Sequence, residues 1–277
     1  MFDFTDRDLD KAHDIRIIGV PFDGTVSFRP GARFGSSAIR DASDGVETWS
    51  PVLDADLEQV KYADAGDLEL PMGHVETVMA IIREAVDECL NDGVIPFLLG
   101  GEHLVSLPAI EAVSEKYPDL VVIQLDAHAD QREDYLGVKL SHACVMRRVA
   151  EVIGDTQIKQ IGIRSGTRAE YEIMRHHNTL TTFRDADLDA LLDWVDGRPV
   201  YLTVDLDVFD PACFPGTGTP EPGGIDWWTF QRFIKTMADC DLVGLDVVEL
   251  APQLDTSGCS SVLAAKAVRE MLLIASA

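Results

Sequence analysis

Leu120-Val121-Val122-Ile123-Gln124-Leu125-Asp126-Ala127-His128-Ala129-Asp130 is the stretch on which the fold turns. Its first six residues are apolar at all but one position and rich in β-branched side chains, the composition of a strand. A strand with one wet face alternates polar and apolar residues. A run without alternation is covered on both faces, as in a parallel sheet flanked by helices. Directly after Leu125 the polarity inverts, and two acids and a histidine recur at every second position.

The same pattern repeats outward in both directions. Apolar runs at 15–20, 59–63, 94–99, 158–163, 180–183, 200–204 and 242–247 bring the expected strands to about eight. Between them lie stretches with helical spacing. The clearest covers 74–90, where Val75, Val78, Met79, Ile82, Val86 and Cys89 recur three or four apart, stopped by Asn91-Asp92-Gly93. Further helices are expected at 105–117, 142–152, 168–177, 188–195, 227–238 and 261–274. Strand–helix alternation predicts a parallel sheet in a three-layer α/β domain. No repeat, low-complexity block or linker divides the chain, so one domain over 1–277 is expected.

Charge narrows the function. With 48 Asp and Glu against 23 Lys and Arg the formal net charge is −25, which repels nucleic acid and anionic membrane surfaces alike. The acids are spread along the whole chain. A salt-rich cytosol accounts for them, because screening tolerates self-repulsion while hydrated carboxylates maintain solubility. Residues 1–10 are acidic and lack the basic start and apolar run of a signal peptide. No apolar stretch approaches the roughly 20 residues that span a bilayer, so a cytoplasmic protein is expected. Cys89, Cys144, Cys213, Cys240 and Cys259 are scattered and never form Cys-x-x-Cys, which argues against a disulfide framework or a zinc–thiolate site. They fit small buried residues in a reducing compartment.

In open parallel sheets ligands bind outside the carboxyl ends of the strands, so the residues at the end of each run are informative. Gly100-Gly101-Glu102-His103 succeeds the run at 94–99. Asp205-Leu206-Asp207 succeeds 200–204, with Asp210-Pro211 closing the turn, and Glu249 comes after 242–247 with Pro252 beyond. Residues two apart in an extended segment point to one side. Asp126, His128 and Asp130 are therefore expected to project together, as are Asp205 and Asp207, with His103 joining from a neighbouring loop. Alone, an Asp-x-Asp reads as a turn or helix cap, and a Gly-Gly-Glu-His as a strand–helix turn shaped by its glycines. Together at the strand ends of one sheet they read as a site. Four crowded carboxylates repel and push their pKa values up unless cations intervene. Six ligands with a carboxylate majority exceed one tetrahedral zinc, and oxygen with imidazole donors suits a pair of manganese-like ions. Two such ions sharing a water bring its pKa toward about 7, giving a nucleophile at neutral pH.

At these residues the chain resembles the ureohydrolases, the arginase/agmatinase family, and their agmatinase branch in particular. Pro21-Phe22-Asp23-Gly24, then Phe28-Arg29-Pro30-Gly31-Ala32-Arg33-Phe34-Gly35 and Ala38-Ile39-Arg40, look like the family's N-terminal signature. Ser141-His142-Ala143 with Met146-Arg147-Arg148 is similar to its central histidine segment, and 215–224 to the loop after its second aspartate pair. Asp246-Val247-Val248-Glu249 with Pro252 and Asp255 resembles its last motif. The resemblance runs from the first strand to the last helix. It implies a three-layer α/β/α sandwich on a mainly parallel eight-stranded sheet. It also implies hydrolysis of agmatine to putrescine and urea by a hydroxide bridging two Mn2+ ions per subunit.

On the same resemblance, one ion is held by His103, Asp126, Asp130 and Asp205, and the other by His128, Asp126, Asp205 and Asp207. His142 stands where the family keeps its proton-handling histidine, and Glu249 where it keeps the carboxylate that grips the guanidinium. Asp130 also stabilises the tetrahedral intermediate. A small cationic guanidino substrate and a homotrimer or homohexamer are implied as well. Two departures matter. Glu102 stands where many members carry aspartate before the ligand histidine. Gln131-Arg132 follows Asp130, where arginases place an asparagine that reads the amino-acid carboxylate; this favours agmatine over arginine. Guanidinobutyrate, aminopropylagmatine and formiminoglutamate are the alternatives within the family. A silent regulatory homologue is the alternative outside enzymes, and the intact ligand set argues against it.

Overall fold

Each of the eight apolar runs becomes a strand of one sheet: β1 Ile15–Gly19, β2 Tyr62–Asp67, β3 Ile95–Leu99, β4 Val121–Leu125, β5 Ile158–Ile161, β6 Leu180–Thr181, β7 Val200–Asp205 and β8 Leu242–Val248. They pair in the order β2-β1-β3-β8-β7-β4-β5-β6, and every pairing is parallel. The structure, a computed structural model, describes Leu9 and residues 11–276. The expectation about residues 1–10 therefore falls, Leu9 apart, outside the described residues.

The pleat explains why the strands do not alternate. Val121, Ile123 and Leu125, with Val200, Leu202 and Val204, point into one apolar cluster, while Val122 and Tyr201 point into the other. Helices α1 Gly35–Ser43, α6 Asp185–Val195, α7 Trp227–Met237 and α8 Cys259–Ala275 cover the first face. Helices α2 Val75–Asp92, α3 Ser106–Lys116 and α4 Val145–Ile153 cover the second. This is the three-layer α/β/α sandwich, and period-two residues serve both cores. α2 stops at Gly93, whose φ of 77° takes the left-handed C-terminal turn that glycine accepts without penalty. α5 Arg168–His177 opens on a capping box between Thr167 and Glu170. Among the described residues no helix is long and apolar enough to cross a membrane.

Two elements go beyond the sequence reading. One is the short antiparallel pair Trp49–Ser50 with Ala55–Asp56. The other is α1, whose nine residues include only Ala38, Ile39 and Ala42 as apolar side chains. Its anchor is polar: the buried Arg40 guanidinium donates to Asp64 of β2 at 2.7 and 2.8 Å and also to Asp67. A helix held by an ion pair to a distant strand leaves no local signature. α4 starts later than expected, because residues His142–Cys144 form a 3-10 turn before it.

Candidate active site

β3, β8, β7 and β4, whose ends carry the acids and histidines, are consecutive neighbours in the middle of the sheet. Their register aligns those ends: Leu99 pairs with Val247, Val248 with Asp205, and Val204 with Leu125. The residues immediately beyond them must share one edge of the sheet.

His103 reaches that edge through Gly100-Gly101. A Cβ on Gly101 would lie 1.7 Å from the Phe22 carbonyl oxygen, so only glycine allows the approach. Gly101 N and Glu102 N donate to the carbonyls of Val20 and Phe22 at 2.9 and 2.8 Å, which packs the 21–24 segment against the site. Asp126 follows β4; its Oδ1 accepts His128 N and its Oδ2 accepts Gln124 Nε2, both at 2.6 Å. Asp205 closes β7, and its Oδ1 accepts Asp207 N at 2.8 Å. Asp207 sits in the 3-10 turn Leu206–Val208, with Ala127 N donating to its Oδ1 at 3.1 Å.

The donor atoms converge. His103 Nδ1 lies 3.0 Å from Asp126 Oδ2 and 3.4 Å from Oδ2 of both Asp130 and Asp205. His128 Nδ1 lies 2.9 Å from Asp207 Oδ2 and 3.6 Å from Asp126 Oδ1. Two groups result, His103/Asp126/Asp205 and Asp126/His128/Asp207, which share Asp126 and keep their ligand atoms within 4.8 Å of one another. Every residue expected to meet here does so, but not by the expected alternation of an extended chain. Asp130 turns in with a φ of 51°, and Asp207 by its 3-10 turn.

The chemistry of this set fits a metal. His103 Nε2 is 2.9 Å from Thr203 Oγ1, whose hydrogen goes to Asp246 Oδ1 at 2.6 Å. Nε2 is therefore the donor, and Nδ1 turns a lone pair toward the carboxylates. His103 Nδ1 is buried and makes no hydrogen bond. A lone pair among carboxylate oxygens is repulsive until a cation lies between them.

Without a cation, protons must take its place. Burial would lower His103, but Asp126, Asp130 and Asp205 outweigh it and raise its pKa well above the ordinary value. Against the same burial, Asp207 and Asp126 raise His128. Burial, Asp207 and Asp126 raise Asp205 as well, so a metal entering the site must expel protons. Loading with a divalent metal ion at pH 7 is expected to release protons, and apparent affinity is expected to fall about tenfold per pH unit for each proton released. Calorimetry in two buffers of different ionisation enthalpy measures this; absence of proton release would mean that the metal displaces no proton from these groups.

Glu249 follows β8 and takes a φ of 66°. Its Oε1 accepts His103 N at 2.9 Å and lies 3.6 Å from His142 Nδ1. Burial lowers the His142 pKa, Glu249 more than offsets it, and the imidazole is raised to about 9. The left-handed backbones of Asp130 and Glu249 cost about 1–3 kcal/mol each. A cavity of about 260 Å³ is lined among others by His128, Asp130, Asp205, His142, Ser27 and Tyr135, with Glu249 in contact through His142 and not itself in the lining. Cys144, two residues from His142, is fully buried and does not line it.

Supporting residues escaped the sequence reading. Gln160 Nε2 donates to Gln124 Oε1 at 2.6 Å and to Ala129 O at 2.8 Å, bracing the Asp126 loop. Thr203 and Asp246 orient His103, with Tyr201 OH donating to Asp246 at 2.9 Å. The available signal was a polar residue inside an otherwise apolar buried strand, as at Gln124, Thr203 and Asp246.

The Arginase family matches residues 13–274. The agmatinase of Bacillus anthracis is 47% identical over 94% of this chain and 91% of its own length. The agmatinase of Bacillus subtilis is 44% identical over 94% and 91%. The crystal structure of an agmatine ureohydrolase from Thermoplasma volcanium superposes with a TM-score of 0.86 at 32% identity, covering 99% of this chain and 94% of that one.

Proposed function

We infer, for a chain that belongs to the arginase family, that this site hydrolyses agmatine to putrescine and urea. The observation that carries the reading is the pair of donor groups sharing Asp126 at the ends of four adjacent strands, beside Glu249 and His142. The agmatinase relatives support the substrate.

His103, Asp126, Asp130 and Asp205 would hold one ion, and His128, Asp126, Asp205 and Asp207 a second. Manganese suits such a carboxylate-rich set with two imidazoles. When bound, two such ions supply a water acidified toward neutral pH. Glu249 pairs with the planar, permanently charged guanidinium. It thereby fixes the central carbon for a positioned attack in place of a chance collision. Asp130, turned in by its left-handed backbone, would accept a hydrogen bond from the added hydroxyl and so stabilise the tetrahedral intermediate. His142 delivers a proton from Nδ1 to the departing nitrogen, so that the diamine leaves neutral rather than as an anion.

The reading extends to the surroundings: an acidic surface kept soluble in a salt-rich cytosol, and assembly into a homotrimer or homohexamer. Exposed Trp49, Trp228 and Val262 support the latter as apolar surface for subunit contact. Purified protein with Mn2+ in molar KCl is expected to release urea from agmatine with a kcat/KM at least about 10²-fold above that for arginine or guanidinobutyrate. Preference for another guanidine moves the substrate assignment. No urea from any of the three, with metal bound, removes the proposal.

A further inference from the structure

Glu102 is a fully buried acid to which the proposed reaction gives no task. It neither lines the cavity nor belongs to either group of ligand atoms. Its carboxylate is committed to Thr25: Oε2 accepts the Thr25 N–H at 2.8 Å and Oε1 accepts the Thr25 hydroxyl. Thr25 Oγ1 in turn accepts the backbone N–H of His142 at 3.0 Å. Thr25 N–H can only donate, and its hydroxyl accepts from His142 N while giving its own hydrogen to the ionised Glu102. Two residues on, Ser27 N–H donates to His142 Nε2 at 3.2 Å, with Ser27 Oγ 3.0 Å from the same nitrogen. A ring that donates a proton is charged and carries hydrogen on both nitrogens, so its Nε2–H then donates to Ser27 Oγ and the ring keeps its orientation. Nδ1 is the atom 3.6 Å from Glu249 Oε1.

We propose that Glu102 is a positioning residue for His142, holding Thr25 at both amide and hydroxyl and thereby fixing the main chain of His142 and, through Ser27, the orientation of its ring. The proposal rests on the reading of His142 as proton donor to the departing amine. Burial raises the Glu102 pKa to about 8, and the two Thr25 donors work against that by favouring the carboxylate, whose oxygens both accept. Glu102→Gln keeps the shape but sets an NH2 group against one of the two donors, leaving a hydrogen unpaired. The glycine that packs Glu102 against Phe22 brings the carboxylate within reach of Thr25.

The test uses manganese-loaded enzyme with agmatine. Glu102→Gln is expected to lower kcat about a hundredfold through misplacement of the donor. KM should stay within about threefold, because guanidinium binding by Glu249 is untouched. Metal content should be unchanged. Thr25→Val should reproduce the effect, Thr25→Ser should retain near wild-type turnover, and Glu102→Gln with Thr25→Val should be no worse than the poorer single variant. If Glu102→Gln does not fold, the two Thr25 variants decide. In a crystal structure of loaded Glu102→Gln, the hydrogen bond between Ser27 and His142 Nε2 should be broken. Recovery of kcat by excess Mn2+ would mean that Glu102 acts through its neighbour His103, and overturns the proposal; so does an unchanged kcat, or an intact Ser27–His142 hydrogen bond. If the wild-type enzyme releases no urea from agmatine, the assigned reaction fails instead. The crystal structure of the variant then decides alone: a broken Ser27–His142 hydrogen bond supports the clamp, and an intact one overturns it.

Discussion

Asp126→Asn is expected to lower kcat on agmatine by at least about 10³-fold and to strip metal from both groups of donors. Asp126 is the carboxylate common to both groups, so the substitution withdraws negative charge from two cations at once. It also fails locally. Both Asp126 oxygens accept N–H donors, from His128 N and Gln124 Nε2, and an amide nitrogen must face one of them, donor to donor. The fold should survive, since Asp126 belongs to neither apolar cluster. Metal analysis, steady-state kinetics and a melting curve on one preparation separate the effects. Full metal content with wild-type turnover would remove Asp126 from the shared position.

Glu249→Gln should act differently, with metal content kept and kcat/KM lowered about 10²–10³-fold, as expected when one partner of a buried charge pair is removed. The glutamine oxygen can still accept His103 N, at 2.9 Å in the native structure. Its NH2 then points at the guanidinium, donor against donors. Most of the loss should appear in KM, because the pairing exists before the transition state as well as in it. A second effect comes from the charge. Glu249 is what lifts His142 to about 9 against its burial. Without that charge the imidazole titrates lower, and turnover that needs its proton must disappear at lower pH. The alkaline limb of the kcat profile should therefore shift toward acid. An unchanged limb would disconnect His142 from Glu249.

The parts of this molecule that were legible in the sequence are those whose cause is local. Strand ends announce themselves by an abrupt change of polarity, so Asp126, His128, Asp205, His103 and Glu249 stood out. Their chemistry followed from residue type and spacing. Helix α1 did not stand out, because Arg40 is tied to Asp64 and Asp67, more than twenty residues away. The 25–27 segment was equally silent: its contacts run to Glu102 and His142, 77 to 117 positions along the chain. Backbone conformation was hidden as well. Nothing in Val-Glu-Leu signals a left-handed residue, and Ala-Asp-Gln carries only the weak sign that aspartate enters that region more often than most. The i, i+2 argument brought together residues that do lie together, while the chain delivers Asp130 and Asp207 by turns.

Those two left-handed positions set heat resistance against turnover. Glycine at 130 or 249 would relieve the backbone of Asp130 (φ 51°) and Glu249 (φ 66°), and at 130 would also thin out a crowd of like charges. A library of this protein ranked by melting temperature alone, in the absence of metal, would enrich glycine at both places. Its best-ranked members would be inert. Directed evolution toward a tougher enzyme must carry an activity gate from the first round, because here the most readily gained stability lies inside the site itself.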